Sequence, residues 1–400
     1  MRTPRAVPLI LSLAVATTLL AMPGDPDPTF DEDGVLTTDF SGSFDEAFAV
    51  AVDAAGRVVA AGYAGGPTGA DFAVVRYDDS GALDPTFGSG GIARTHFGAS
   101  VQARGLAIDA DGRLVVVGTG FHVARYLADG TLDPAFGGGT GHVRVAFPSG
   151  GPSAHAVALD HLGRLVVVGT VALGGTGNPA LMGIARLLPD GAPDPAFGTG
   201  GTVTLDFGST IAHGFGVALD PAGRIVAVGR VYRGPDYRGS GFAIARLHDT
   251  GALDAAFGDD GRVTHDFDGR GAIGYAVALD ASGRIVVGGA AYAAASADID
   301  LAVARYLPDG TLDPTFGSAG MVVSGLEDRD DARGLAIAGD GAIYAVGGRT
   351  TTGSRIGLTR LLADGSLDER FGIGGRVVTN PGWYGGWANA IALDPLGRVV

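Results

Sequence analysis

One thirteen-residue segment recurs along this chain without insertion or deletion. It is clearest at Arg305–Gly317 (RYLPDGTLDPTFG) and has six recognisable copies. In every copy an aspartate follows the arginine by eight residues, and a phenylalanine follows it by eleven, although whole repeats differ in length. The pairs are Arg76 and Asp84, Arg125 and Asp133, Arg186 and Asp194, Arg246 and Asp254, Arg305 and Asp313, and Arg360 and Asp368. A segment that tolerates no insertion is a structural joint, and we call it the joint.

The distance between joints indicates the size of the repeating unit. Counted from a degenerate copy at Phe30, successive joint phenylalanines are 57, 49, 61, 60, 59 and 55 residues apart. This period is close to that of a propeller blade and far above a leucine-rich or ankyrin unit. Repeats are therefore predicted at about 30–86, 87–135, 136–196, 197–256, 257–315 and 316–370, with a partial repeat at 371–400.

Each repeat is predicted to contain four short strands. The first follows the Phe-Gly turn, the second and third form a hairpin at an Asp-x-x-Gly-Arg turn, and the fourth carries the joint arginine. Strands such as Leu165–Val168 are apolar at consecutive positions, which indicates burial on both faces. We therefore predict an all-β fold, a β-propeller of about seven four-stranded blades over residues 22–400, with the last blade incomplete. A linear β-solenoid is the competing architecture. The chain stops within a predicted third strand, so it is either incomplete or closes unusually.

Composition excludes several classes of function. The formal charge of -15 argues against binding to nucleic acid. The 28 basic residues are all arginine, which removes a phosphate-loop lysine and Schiff-base chemistry. There is no cysteine, so neither a disulfide framework nor a lipid-modified cysteine is possible.

The first 21 residues have the pattern of a secretory signal peptide. Arg2 and Arg5 precede an apolar run from Val7 to Ala21 that is short for a membrane span. The alternative is an uncleaved anchor. We expect an extracytoplasmic protein, in the periplasm or at the cell surface, with no membrane span after signal removal.

The repeat pattern resembles a known family. Asp-Gly-x-Leu-Asp-x-x-Phe-Gly-x-x-Gly, then an Ala-rich strand, Asp-x-x-Gly-Arg and Ala-Arg-Tyr, is similar to the delta-60 repeat, a tandem module of bacterial exported proteins. The resemblance covers about Asp25 to Val400. It departs at Phe30-Asp31, at Pro193 and in the sixth hairpin, Gly339–Ala342. It implies a propeller-like extracytoplasmic protein and no particular catalytic activity.

The six Arg/Asp pairs have two interpretations. Six copies of a ligand site are one, and a salt bridge that fixes each strand to its own turn is the other. A true site is rarely copied into every blade, and a planar guanidinium suits a carboxylate. We therefore interpret the pairs as structural.

No pattern for a metal, cofactor or catalytic site emerges. The aspartate clusters lack a calcium-loop spacing, and the eight histidines lack a zinc-ligand spacing. His155 and His213 are predicted to occupy equivalent repeat positions, which favours packing. The glycine clusters lack a following lysine, and there is no Gly-x-Ser-x-Gly motif. We predict no metal, no cofactor and no catalytic residue.

The loops that vary in length offer the best binding candidates. They share one face, opposite the joints and hairpins, and variable loops on a fixed scaffold commonly bind partners. The candidate binding residues are Trp383, Tyr384, Trp387, Tyr232, Tyr237 and Arg238. Aromatic residues flanked by glycine can stack on a sugar or anchor a partner. Alternatively, Trp383 and Trp387 plug the propeller or cover a blade edge.

Two classes of function remain. We favour an exported, non-enzymatic propeller that binds a protein or glycan at the cell surface, and we expect a monomer. The alternative is a propeller hydrolase or lyase with an axial acidic site.

Overall fold

The computed structural model describes residues 23–40, 45–66, 69–148, 150–175, 179–209, 211–232, 239–292, 299–324, 329–350, 354–379 and 388–400. The signal peptide prediction therefore lies outside the described residues. Within them, strands dominate, the helical content is one 3-10 turn at Gly137–Gly139, and no helix has the length and apolarity needed to cross a membrane.

The strands group into successive antiparallel units. The first unit comprises β1 (Asp45–Val52), β2 (Val58–Gly66), β3 (Gly69–Tyr77) and β4 (Ile92–Thr95). The second comprises β5 (Ala103–Ile108), β6 (Leu114–Gly118), β7 (His122–Tyr126) and β8 (His142–Arg144). The third comprises β9 (Gly151–Leu159), β10 (Leu165–Ala172), β11 (Ala180–Leu187) and β12 (Thr202–Leu205).

The remaining units follow the same order. The fourth comprises β13 (Ile211–Leu219), β14 (Ile225–Tyr232), β15 (Ser240–Leu247) and β16 (Arg262–His265). The fifth comprises β17 (Gly271–Leu279), β18 (Ile285–Tyr292), β19 (Ile299–Tyr306) and β20 (Met321–Ser324). The sixth comprises β21 (Arg329–Asp330), β22 (Gly334–Ile337), β23 (Ile343–Thr350), β24 (Ser354–Leu361) and β25 (Arg376–Thr379).

The prediction of about seven four-stranded blades is wrong. The described residues form five hydrogen-bonded sheets: three have four strands, one has five and one has eight. The eight-stranded sheet contains the third and fourth units, joined by a single parallel bridge between Ala180 and Ile211. In the five-stranded sheet, β21 and β22 both pair with β23. In the predicted partial seventh repeat, 371–400, β25 pairs with β24 of the sixth unit, and residues 388–400 contain an isolated bridge between Leu393 and Val399 and no strand.

The predicted division of strands between units also differs from the structure. The strand after each Phe-Gly turn pairs with the strand that carries the joint arginine, as β16 pairs with β15. It is therefore the last strand of its own sheet, not the first of the next. The physical reason is the joint itself, because its tight turn returns the chain antiparallel beside the strand it has just left.

The core lies between neighbouring units. Clusters of buried aliphatic and aromatic residues combine strands from consecutive sheets, as Val168 and Ile184 of the third unit pack with Ala227 and Ala245 of the fourth. Strand β10 is buried at seven of its eight positions. Consecutive apolar residues are therefore required here, since each central strand faces a neighbour on both sides.

Each joint fixes one unit and holds the next. Five of the joint arginines donate from Nε to Oδ2 of their aspartate at 2.7–2.8 Å. In the sixth unit Arg360 instead donates to Asp368 from Nη1, and its Nε donates to the Tyr344 hydroxyl at 2.9 Å. The arginine also reaches forward, because Nη1 of Arg246 donates to the Pro308 carbonyl of the following joint. The pair is thus an intra-unit salt bridge and a contact between units.

The joint glycine is required by both its backbone and its surroundings. Gly310 has φ +90°, and a Cβ there would lie 3.0 Å from the Phe257 ring of the preceding joint and 2.9 Å from the Gly258 nitrogen. That amide donates to the Asp309 carbonyl at 2.8 Å. Only glycine allows this conformation and this approach.

The two ends of the described chain meet. The Gly372 amide of the sixth joint donates to the Pro23 carbonyl at 2.7 Å, repeating the joint-to-joint bond seen between the other units. Arg398 donates from Nη1 to Asp27 at 3.0 Å, and Asn389 donates from Nδ2 to the Ala47 carbonyl at 3.0 Å. A straight coil would separate these segments, so the arrangement is circular.

Candidate functional site

The first strand of each of the first five units carries a bulged residue, and these residues line the axis. Register shifts leave one extra residue in β1, β5, β9, β13 and β17, namely Phe48, Arg104, His155, Phe215 and Tyr275. A β-bulge re-aims the side chain that it carries. In the sixth unit Arg333 lies between β21 and β22, and its amide donates to the Val346 carbonyl at 2.9 Å. Asn389 precedes the last hairpin in the same way.

Most neighbours in this series are in contact. The Arg104 guanidinium carbon is 4.3 Å from the Phe48 ring centroid. The ring of Phe215 lies 5.3 Å from His155 and 5.6 Å from Tyr275, between centroids. Arg333 lies 5.9 Å from the Tyr275 centroid and donates to Asn389 Oδ1 at 3.1 Å. Asn389 returns to the first unit through Ala47 and through Glu46 Oε1 at 3.2 Å. We call Phe48, Arg104, His155, Phe215, Tyr275, Arg333 and Asn389 the axial ring.

The axial ring differs chemically from the positions beside it. Two residues further along each first strand the side chain is always aliphatic: Val50, Leu106, Val157, Val217, Val277, Leu335 and Ile391. Most of these pack against the core between sheets. The ring position holds two arginines, two phenylalanines, a tyrosine, a histidine and an asparagine, all partly exposed. The fold therefore requires the aliphatic position, whereas it leaves the ring position free to vary.

Arg104 is a desolvated cation in this ring. Burial lowers the pKa of its guanidinium, against the opposing effect of Glu46. Its Nη2 donates to Gln102 Oε1 at 2.7 Å, and its Nε is buried without an acceptor. Within the described part of the chain, no carboxylate lies within 4 Å of the Arg104 nitrogens. Arg333, in contrast, donates from Nε to Asp331 at 2.8 Å.

A second layer lies toward the variable loops. The Arg230 guanidinium carbon is 3.9 Å from the centroid of Tyr232, and Arg230 also hydrogen-bonds Tyr292. Tyr292 in turn hydrogen-bonds the Tyr275 hydroxyl of the axial ring. Of the six candidate binding residues, Tyr232 lies within the described residues and is linked to the ring by these contacts; its role in binding stays a prediction. The other candidates, Trp383, Tyr384, Trp387, Tyr237 and Arg238, lie outside the described residues.

The two histidines occupy different positions, contrary to the sequence interpretation. His155 is the bulged residue of β9, and its structural counterpart in β13 is Phe215, while His213 pairs with Arg230 two residues earlier. His155 Nδ1 donates to the Gly214 carbonyl at 2.6 Å. Burial lowers the pKa of both histidines from 6.5 to about 4.

Acid should therefore destabilise the fold before the carboxylates titrate. The unfolded chain takes up protons at His155 and His213 near pH 6.5, whereas the folded chain resists them until about pH 4. As the pH is lowered from about 6.5 to about 4, the free energy of unfolding is expected to fall. Below about pH 4 these two histidines should cause no further fall. Urea denaturation at several pH values in this range gives the slope of the unfolding free energy against pH. In His155→Gln/His213→Gln this slope should be smaller than in the unsubstituted protein, by the equivalent of up to about two protons. An unchanged slope would contradict burial of the two neutral imidazoles.

Sequence analysis missed the axial ring, although a signal was present. Each ring residue stands five positions before the first turn position of the hairpin that follows it, as Arg104 precedes Asp109 and Asn389 precedes Asp394. Chemical variety at one fixed repeat position, beside an invariably aliphatic one, marks a position the fold does not determine. This position was missed because comparing the repeats highlights positions that hold the same residue in every copy, and the ring position holds several residue types.

The described residues contain no group of three or more histidine, aspartate or glutamate side chains placed to hold a metal ion. The acids nearest the ring are Glu46 and Asp331. Glu46 accepts a hydrogen bond from Asn389. Asp331 accepts hydrogen bonds from Arg333 and from the Gly348 amide. The axial ring therefore brings arginine guanidinium groups, aromatic rings and the Asn389 amide together around the axis.

Comparisons with solved structures give low-identity resemblances. One is a protein of unknown function from Bacteroides caccae, at 12% identity and a TM-score of 0.42, covering 80% of this chain and 98% of that one. A glucose dehydrogenase matches at 16% identity and a TM-score of 0.44, and the match covers 74% of this chain and 91% of that one. The type-IX secretion component PorZ of Porphyromonas gingivalis matches at 14% and 0.43, covering 91% of this chain and 46% of that one. At these TM-scores the resemblances carry no functional argument.

No curated protein sequence matches the chain. A family model does match five of its segments, residues 56–87, 110–136, 163–197, 281–316 and 338–371. Each segment runs from a hairpin turn to the joint phenylalanine that follows it. The chain therefore carries five matches to the repeat described as a β-propeller domain of unknown function, DUF5122.

Proposed function

We propose that this protein is an exported, non-enzymatic β-propeller that binds a protein or glycan partner through its variable loop face and the axial ring beneath it. The observation that carries the proposal is the chemical variety of the ring. Joints repeat their arginine and aspartate in every unit, and the neighbouring axial position is always aliphatic. Variety at a partly exposed, axial position supports recognition of a ligand that itself lacks circular symmetry.

The composition of the ring favours binding over catalysis. Aromatic residues and arginine are enriched where proteins bind partners, since they combine a large contact area with directional donors. A hydrolase or lyase would need a carboxylate or imidazole free to exchange protons near neutral pH. Asp331 is held by Arg333, and burial keeps His155 neutral. Export is proposed from the pattern of residues 1–21.

Capture of a ligand tests the proposal. Immobilised protein without residues 1–21 should retain a glycan or protein from surface extracts or a glycan array. Phe215→Ala removes a ring aromatic at a partly exposed site, and we expect retention to fall at least tenfold, or about 1.4 kcal/mol. Trp383→Ala/Trp387→Ala tests the loop candidates in parallel.

The matched control is Leu162→Ala. Leu162 is 58% exposed in the third hairpin turn, on the opposite face, so its loss should leave retention unchanged. Thermal melting of each variant separates lost binding from lost folding. Failure to retain anything from any extract, or equal losses in the Phe215 and Leu162 variants, would contradict the proposal.

A further inference from the structure

The axial ring has an aromatic half bounded by two cations. His155, Phe215 and Tyr275 are consecutive in the ring, with centroid separations of 5.3 and 5.6 Å. Arg104 precedes this arc, and Arg333 follows it at 5.9 Å from Tyr275. The arc thus places three neighbouring rings in a row, with a guanidinium toward each end.

The two arginines differ in what they already bind. Arg333 is neutralised by Asp331 and hydrogen-bonded to Asn389. Arg104 has a neutral amide and an aromatic face as its described partners, and its buried Nε lacks an acceptor. A partly buried guanidinium is costly to leave without an anion. In the joints the chain supplies that anion within each unit. At Arg104 the described acid that acts on the guanidinium is Glu46, which does not form an ion pair with it, so the carboxylate of a ligand can take this place.

The aromatic arc and the Arg104 guanidinium together favour one class of ligand. The C–H face of a pyranose packs on aromatic rings, and this contact tolerates many sugars. A planar guanidinium binds a carboxylate through two parallel N–H···O bonds, which a neutral sugar cannot offer. The Tyr275 and Tyr292 hydroxyls, already hydrogen-bonded to each other, lie where sugar hydroxyls could join them.

We infer that the axial ring binds a carboxylate-bearing saccharide, with its pyranose ring on the His155–Phe215–Tyr275 arc and its carboxylate on Arg104. This inference rests on the proposed function and specifies its ligand. In a chain with a net charge of -15, Arg104 is the ring cation without a carboxylate ion pair among the described residues, which makes it a selective point of attachment for such a ligand.

The test compares each acid with its own methyl ester. An array carries uronate- and sialate-terminated oligosaccharides beside the corresponding esters, which keep the shape and lose the charge. The protein should bind at least one acid, and its ester should bind at least tenfold more weakly. Calorimetry on that acid should show a loss of about 10- to 100-fold in Arg104→Gln, the range for a charge-assisted hydrogen-bond pair.

Arg94→Gln is the matched control. Arg94 is a solvent-accessible arginine of β4, paired with Asp71 at 3.2 Å and outside the ring, and its loss should leave affinity unchanged. Equal binding of acids and esters, or full affinity in Arg104→Gln, would overturn the inference while leaving a binding function in place. Retention of an extract partner without binding to any acidic saccharide would also overturn it. Failure of both the extract capture and the array would overturn the proposed function itself.

Discussion

Arg246→Ala is expected to lower the free energy of unfolding by about 3–5 kcal/mol, the cost of leaving a buried charge without its partner. The Arg246 side chain is 4% exposed and that of Asp254 is 5% exposed, with Nε and Oδ2 2.8 Å apart. The substitution also removes the donor to the Pro308 carbonyl of the next joint and the cation 4.6 Å above the Phe257 ring. Three contacts are lost together, and one of them holds a neighbouring unit.

Urea denaturation at pH 7 measures this effect, and Arg94→Ala provides the control. The Arg94 side chain is 35% exposed, so its ion pair with Asp71 should contribute no more than about 1 kcal/mol. If Arg246→Ala matched Arg94→Ala in stability, the joint pair would not be structural. Loss of ligand capture at an unchanged melting temperature would instead favour the alternative that the pairs are ligand sites.

The joint shows how much of the fold could be predicted from sequence. The fixed spacing from Arg305 to Asp313 and Phe316 indicated one rigid element, and in the structure the Arg305 guanidinium contacts both of the other side chains. The all-β class followed from the apolar runs and turn residues. The forward contact from Arg305 to the Ala363 carbonyl could not be predicted, because spacing within a repeat carries no information about the adjoining repeat.

The predictions of the number of blades and of the strand order were wrong for physical reasons. A sequence repeat has no intrinsic first strand, so the strand after Phe316-Gly317 could belong to either sheet. Hydrogen bonding assigns Met321–Ser324 to the preceding one. Counting joints also counted Phe371 as opening a further blade, whereas residues 388–400 adopt no strand.

The candidate site was less predictable than the fold. Variable loop length singled out a face that includes Tyr232, and the structure links Tyr232 through Arg230 and Tyr292 to the axial ring. The ring itself depends on bulges that bring residues some 50–60 positions apart into contact. A bulge is a register shift between two strands, and no single-residue pattern specifies it.

The second large effect concerns the closing contact of the circle. Glu46 and Asn389 are separated by 343 residues, yet Asn389 Nδ2 lies 3.2 Å from Glu46 Oε1. The chain lacks cysteine, so Glu46→Cys/Asn389→Cys introduces the only two thiols. A short bismaleimide should join them within one molecule in nearly all folded chains. Because the link closes a long loop, it should also raise the free energy of unfolding by about 2–4 kcal/mol.

Mass spectrometry of the tryptic digest, after cross-linking of dilute native protein, is the most direct test of the circular arrangement. Leu162→Cys/Asn389→Cys is the control, since Leu162 lies in the hairpin turn of the third unit. The structure predicts a linked peptide pair from positions 46 and 389, lost in denaturant, and none from positions 162 and 389. Absence of the 46–389 link in the native protein would contradict the closed circle and, with it, the axial ring.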